Sequence, residues 1–281
     1  MLLALWRACW GDGLARVGLL LLALALCAAL LAPWLAPHPS RTMFDPLSPP
    51  SAAHPLGTND LGYDLLSELL AGARTSLTLA TAAALSSTLL GTVLGTVAAY
   101  HRRLGWALLR VVDVFLSVPR LALMVLVAAF VRPGMGTLLG FFVLFGWPSV
   151  ARIVYARALA EGQSEYIEAT QAVGASGRRI VWRHLLPATV PLAFTRFIAE
   201  MQHVIVAEAG LSFMGLGDPT TQSWGMTLSH AMRYPALLIS PVWRWWALPP
   251  GLAITLVCLA LTLLQLGLDR LTDPRLAAMN R

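Results

Sequence analysis

Lysine is missing altogether: every one of the 20 Lys+Arg residues is arginine. We read the exclusive use of arginine as a composition bias. It has one chemical consequence, because a GxxxxGK[ST] phosphate loop cannot exist without lysine and this chain cannot itself be a P-loop ATPase. Charge is scarce as well, at 12% of 281 residues, against about 25% in soluble domains. The three cysteines, Cys9, Cys27 and Cys258, are scattered, with no CxxC and no Cys/His ligand spacing. Neither a disulfide framework nor a zinc site is supported, and no metal ligand is expected.

What is abundant is apolar. Hydrophobic residues make up 57% of the chain and the mean hydropathy is +0.69. One core cannot hide that excess, because surface does not shrink fast enough with size. The composition therefore argues for a membrane protein and against a soluble enzyme, a disordered chain or a nucleic-acid-binding module. The net charge of +6 does not revive nucleic acid, since the basic residues lie between apolar runs.

A membrane-crossing helix needs about 20 mostly apolar residues. Six segments meet that length: Val17 to Ala36, Leu77 to Ala99, Leu104 to Val131, Met135 to Val154, Leu185 to Val206, and Ala247 to Leu268. The fold class expected is thus all-α and polytopic, with six transmembrane helices. The first segment is too long for a signal h-region and lacks a cleavage pattern, so it reads as an uncleaved anchor. With the N-terminus cytoplasmic, Arg7, Arg16, Arg102, Arg103, Arg152, Arg157, Arg178, Arg179, Arg183, Arg270, Arg275 and Arg281 fall inside. Only Arg41, Arg74, Arg132, Arg233 and Arg244 fall outside. The positive-inside rule favours this orientation, with both termini cytoplasmic.

The organisation expected is a cytoplasmic segment 1–16, a first crossing 17–36, an external loop 37–76, a five-helix transmembrane domain 77–269, and a cytoplasmic tail 270–281. Within the domain lie a cytoplasmic loop 159–187 and an external loop 212–246. Prolines 37, 39, 46, 49, 50 and 55 preclude a regular helix early in the first external loop. Ser87, Gly91 and Gly95, at four-residue steps, suit close helix packing inside the bundle.

The cytoplasmic stretch Ser164 to Pro187 reads as helix, break, helix. Ser164 suits an N-cap, followed by Glu165 and Glu168 at the positive end of the dipole. Tyr166, Ala169, Thr170 and Val173 share one face. Gly174 suits a stop, and Ser176 can cap a second helix containing Ile180, Val181, Trp182 and Leu185. An apolar face that projects from the bilayer needs a protein groove to cover it.

These residues carry a resemblance. Glu168-Ala169-Thr170, then Gly174, then Leu185-Leu186-Pro187 is similar to the EAA loop of ABC importer permeases, with Thr170 in place of the usual Ala. His54-Pro55-Leu56-Gly57-Thr58-Asn59-Asp60-Leu61-Gly62-Tyr63-Asp64, with Gly72-Ala73-Arg74-Thr75-Ser76-Leu77, resembles the HPLGTDxLGRD…GARxSL stretch of the second permease of peptide and nickel importers. Asn59 and Tyr63 stand where that pattern has Asp and Arg. Leu211 to Gly217 with Ser223-Trp224-Gly225 is similar to LSFLGLG…SWG, and the chain end resembles WWxLPPGLAI…DPR. Four segments in the correct order span Val17 to Arg275.

The resemblance implies a non-catalytic permease subunit in the bacterial inner membrane, forming half of a path for peptides, with nickel or metal chelates as the alternative cargo. It implies a homologous second permease, two ATPase subunits that bind ATP and Mg, and an extracytoplasmic substrate-binding protein. No cofactor belongs to this chain. Glu168, Ala169, Thr170, Gly174, Leu186 and Pro187 would couple to the ATPase. His54, Gly57, Asp60, Asp64 and Trp224 are candidates for docking the binding protein, although the turn formers around Pro55 to Asp64 also suit a compact loop.

Charged groups within crossings are functional candidates by default. Arg120 follows Pro119 in the third crossing, and Glu200, His203 and Glu208 lie along the fifth. All four are candidate path-lining residues. Glu200 and His203 form a single ExxH, where a di-iron bundle needs two. Arg110 and Asp113, three apart, can pair on one helix face. Arg178, Arg179 and Arg183 read as inside anchors. Two rival classes are an intramembrane protease using Ser86 or Ser87 with His203, and a stand-alone channel, which would not explain the groove-seeking loop.

Overall fold

The computed structural model describes residues 12–39, 42–128, 130–131 and 134–272. Most of the expected segment 1–16 and of the tail 270–281 lies outside these, as do Cys9, Arg7, Arg41, Arg132, Arg275 and Arg281. The described residues are helical, with only two isolated β-bridges, Met43 to Tyr63 and Thr58 to Asp64.

Helix α1 (Gly13–Leu35) starts where the Asp12 carboxylate accepts from the Leu14 and Ala15 amides. Its outer flank is bare, with Leu24, Leu30 and Trp34 all exposed, as suits contact with lipid. Helix α2 (Leu65–Tyr100) is the centre of the bundle. Its 36 residues rise about 54 Å, well beyond a hydrocarbon core of about 30 Å. It begins far earlier than the expected crossing at Leu77, because Asp64 caps it: one carboxylate oxygen accepts from the Ser67 amide at 2.9 Å and the Ser67 hydroxyl at 2.8 Å.

The third expected crossing is not one helix. α3 (Arg102–Ser117) and α4 (Arg120–Ala128) are separated at Val118 and Pro119. The proline ring forces the preceding residue out of the helical region, and Val118 sits at φ −101, ψ 133. Neither piece alone reaches the length of a crossing. The expected pair of Arg110 and Asp113 is also absent. Asp113 pairs with Arg152 at 3.3 Å, while Arg110 lies over the Trp106 ring.

Helix α5 (Met135–Gly162) is followed by the short α6 (Glu165–Ala172) and α7 (Gly177–Ile180). One π-turn at Val181–Leu185 then leads without a break into α8 (Leu186–Phe213). Pro187 therefore lies inside a continuous helical stretch, where its missing N–H removes one ladder hydrogen bond beside the π-turn. α9 (Trp224–Arg233), α10 (Trp243–Trp246) and α11 (Leu248–Thr272) complete the chain.

Among the described residues, four helical stretches are long and apolar enough to cross a membrane: Gly13–Leu35, Leu65–Tyr100, Met135–Gly162 and Trp243–Asp269. α8 has the length but carries Arg196, Glu200, His203 and Glu208. The core runs along α2, where Leu77, Ala80 and Ala84 pack with Phe142 and Phe145 of α5, Val204 and Leu211 of α8, and Leu261 of α11. Ser87, Gly91 and Gly95 form the α2–α5 seam. Ser87 donates to the Phe142 carbonyl at 3.2 Å. A Cβ on Gly91 would stand 2.8 Å from the Trp147 carbonyl oxygen, and one on Gly95 2.6 Å from that of Ala151.

Candidate functional site

The element between α5 and α8 is a short helix held from one side. Ile167, Ile180, Val181 and Leu185 are buried together against Val97 and Tyr100 at the end of α2. The opposite side of α6 is open: Tyr166 is 46% exposed and Val173 85%, with Glu168 and Ala169 exposed between them. Thr170 is half-buried, its hydroxyl donating to the Tyr166 carbonyl at 2.6 Å. Gly174 ends the helix at φ +84, the left-handed conformation that glycine adopts without strain. Ser164 flanks α6 but caps nothing with its side chain, donating instead to the Glu161 carbonyl. Ser176 does cap α7, accepting from the Arg179 amide at 3.4 Å. The Tyr166 hydroxyl donates to Glu161 at 2.8 Å. Burial first, then that carboxylate partner, push the phenol above its ordinary value. Leu186 is half-buried and Pro187 exposed where α8 begins.

A second group of residues meets at the inner flank of α8. Arg120, the first residue of α4, stands 3.8 Å from Glu200, whose side chain is 8% exposed. One turn on, His203 presents a buried Nε2 with no hydrogen-bond partner among the described residues, and the buried Nε of Arg196 likewise has none there. On α2, Thr88 and Thr92 also carry buried hydroxyls without a partner among the described residues. Arg120→Met should destabilise the protein by about 3 kcal/mol, because it strands the buried Glu200 charge. The double variant Arg120→Met/Glu200→Met should recover most of that. Thermal unfolding in detergent measures both.

Glu208 is not part of this group. It is buried and accepts from the Ser212 hydroxyl at 2.7 Å and the Ser223 hydroxyl at 2.6 Å. Ser223 also caps α9 through the Met226 amide. The carboxylate thus ties α8 to α9, and path lining is corrected to an internal brace for this residue.

The loop between α1 and α2 shows the same division. Asp64 is 3% exposed and caps α2, while its other oxygen meets His54 Nδ1 at 3.0 Å. Gly57 is buried at φ +72, and a Cβ there would lie 2.5 Å from the Ser48 carbonyl. Trp224 is 3% exposed, its indole N–H donating to the Leu69 carbonyl at 3.0 Å. These three residues shape the loop and offer no surface. His54 is half-buried, and only Asp60 of the five is fully exposed.

Asp60 opens onto a polar cavity of 560 Å³ that also takes in Asn59, Glu68, Gln222, His230 and Arg233. Glu68, buried, accepts from Asn59 at 3.2 Å and Gln222 at 3.3 Å. Burial, then the Arg233 charge, push the His230 imidazole below its ordinary value, against Asp60. Asp218, next to this cavity, accepts from the Met135 amide at 2.9 Å and so caps α5. Burial raises its carboxyl, but hydrogen bonds from Thr220 and from Met135 outweigh burial and hold it below the usual range. Neither Glu68 nor Asp218 was legible in sequence, since their partners lie up to 154 residues away.

Residues 91–278 match the family described as binding-protein-dependent transport system inner membrane component. The chain belongs to that family. A protein of Brucella suis biovar 1, named as a peptide transport system permease protein, is 36% identical over 266 residues, covering 93% of this chain and 88% of its own. The dipeptide transport system permease protein DppC of Bacillus subtilis is 33% identical, with 96% and 85% covered. The glutathione transport system permease protein GsiD of Escherichia coli is 33% identical, with 96% and 89% covered. This permease is therefore a multi-pass inner-membrane component of a transport system, and its family role is that of a transporter part.

Proposed function

We propose that this permease forms half of a path for peptides across the bacterial inner membrane, beside a homologous second permease. The names of its relatives, peptide, dipeptide and glutathione transport, favour peptides over nickel or metal chelates. In this reading the chain crosses six times with both termini cytoplasmic. The broken pair α3–α4 makes the third crossing and the polar α8 the fifth. Buried polar groups require partners, and Arg196 and His203 would find theirs in the path or the second permease, beside Arg120 and Glu200.

The observation that carries the reading is the two-sided character of α6. Its underside joins a buried cluster against α2 through Ile167, together with Ile180 of α7 and Val181 and Leu185 of the π-turn, while Tyr166, Glu168 and Ala169, and Val173 just past its end, face outward. A helix gripped on that outer face by an ATPase subunit would transmit motion straight to α2 and α8. Thr170, Gly174, Leu186 and Pro187 complete the element. ATP and Mg would be held by the ATPase pair. Asp60 and the rim of the external cavity offer the surface on which a substrate-binding protein would dock. The protease alternative gains no support, because the Ser87 hydroxyl donates to the Phe142 carbonyl and Ser86 lies on the exposed flank of α2.

Reconstitution tests this. Proteoliposomes holding both permeases, the ATPase pair and the binding protein should accumulate peptide only with ATP. Uptake that persists after the ATPase subunits are omitted would overturn the proposal.

A further inference from the structure

His38 lies just beyond the end of α1, and His54 and Asp64 belong to the loop that leads into α2. Spacings of 16 and 10 residues match no ligand motif, yet the fold brings the three together. One ligand atom from each lies within 4.8 Å of the others. The two imidazole rings are 4.9 Å apart, and Phe44 packs against both, at 4.6 Å from His38 and 4.5 Å from His54.

The surroundings orient each group. His38 Nε2 is 3.1 Å from the Ala53 carbonyl oxygen. A carbonyl only accepts, so Nε2 carries the proton and Nδ1 keeps its lone pair. Metal-binding histidines are oriented in this way, one ring N–H donated to a carbonyl or carboxylate. The His38 amide is also tied to the Ser67 hydroxyl at 3.4 Å. On Asp64, the Ser67 amide and hydroxyl occupy one carboxylate oxygen, leaving the other facing His54 at 3.0 Å.

We propose that His38, His54 and Asp64 bind a zinc ion that clamps the end of α1 to the start of α2. Two imidazoles and a carboxylate with one open position form a zinc donor set. Adjacent ligands of a tetrahedral zinc stand about 3.4 Å apart. His54 Nδ1 and the free Asp64 oxygen are 3.0 Å apart; the carboxylate only accepts, so that nitrogen carries a proton that the metal would displace, and the farthest pair of ligand atoms, within 4.8 Å, need close by no more than about 1.5 Å. The clamp sits at the opposite end of α2 from the α6 element. It is independent of the transport reading.

The test uses the permease purified with its partner subunits through a tag free of histidine, after dialysis against a chelator. Titration with Zn²⁺ should give one ion per chain. His38→Gln and His54→Gln, which keep a side-chain donor but offer no imidazole, should each weaken Zn²⁺ binding at least tenfold. Zn²⁺ should raise the melting temperature of the wild type and of neither variant. Metal-free melting temperatures confirm that both variants fold, and if one is impaired the other decides. Zn²⁺ affinity unchanged in either folded variant, or no stoichiometric binding by the wild type, overturns the proposal.

Discussion

Val173→Asp should cut ATP-driven peptide uptake at least tenfold while leaving the permease folded and in the membrane. Val173 is 85% exposed, so its replacement touches no core, and surface changes of that kind alter stability by no more than about 0.5 kcal/mol. In a helix-in-groove contact the charge would meet an apolar pocket on the ATPase. An anchor lost at such a site costs about 2 kcal/mol or more, roughly thirtyfold in affinity. Two readouts separate docking from folding: the amount of ATPase co-purified with the permease, and the melting temperature of the permease itself. The first should fall and the second should not. Gly174→Asp is less clean, because it adds a side chain at φ +84, where strain of about 1–2 kcal/mol is expected. Normal ATPase co-purification by Val173→Asp would remove α6 as the contact.

Gly91→Leu should prevent a stable permease from accumulating. A Cβ at this position would meet Val150 Cβ at 2.7 Å, the Trp147 carbonyl oxygen at 2.8 Å and the Ala151 amide nitrogen at 2.9 Å. Two of these three are backbone atoms of α5, which cannot rotate away. The seam would have to part, which ends the hydrogen bond from Ser87 to Phe142 and opens the core around Ala84 and Phe142. Overpacking in a tight interior costs about 1–3 kcal/mol and occasionally more. Against a rigid helix backbone we expect about 3 kcal/mol or above. Gly210→Ala is the control, since nothing lies within 4 Å of its Cβ and replacing a helical glycine gains about 0.5–1 kcal/mol. Thermal unfolding in detergent and the steady-state level in membranes give the comparison. A Gly91→Leu protein that melts like wild type would show that the α2–α5 approach is looser than described.

Much of this architecture was legible without coordinates, because its determinants are local. Apolar runs of sufficient length mark α1, α2, α5 and α11. Pro119 marks a break, although the sequence run alone reads as one crossing. Gly174 and Ser176 mark the turn between the short helices α6 and α7, and the spacing of Ser87, Gly91 and Gly95 marks a close seam. The family, too, rests on short motifs in order.

Side-chain roles were a different matter. Asp64, Gly57 and Trp224 occur in a motif that suggests a partner surface, yet a helix cap, a left-handed turn and an internal hydrogen bond consume them. Glu208 sits one face away from Glu200 but serves two serines, one of them 15 residues on. Asp113 chose Arg152 over the nearer Arg110.

The sequence by itself determined that this is an all-helical membrane permease, because hydrophobic length, arginine placement and the motif order need no tertiary contact to be read. Tertiary structure alone decided which polar residues face outward and which brace the fold. Burial and hydrogen-bond partners depend on chain segments far apart in sequence, and only folding brings those segments into contact.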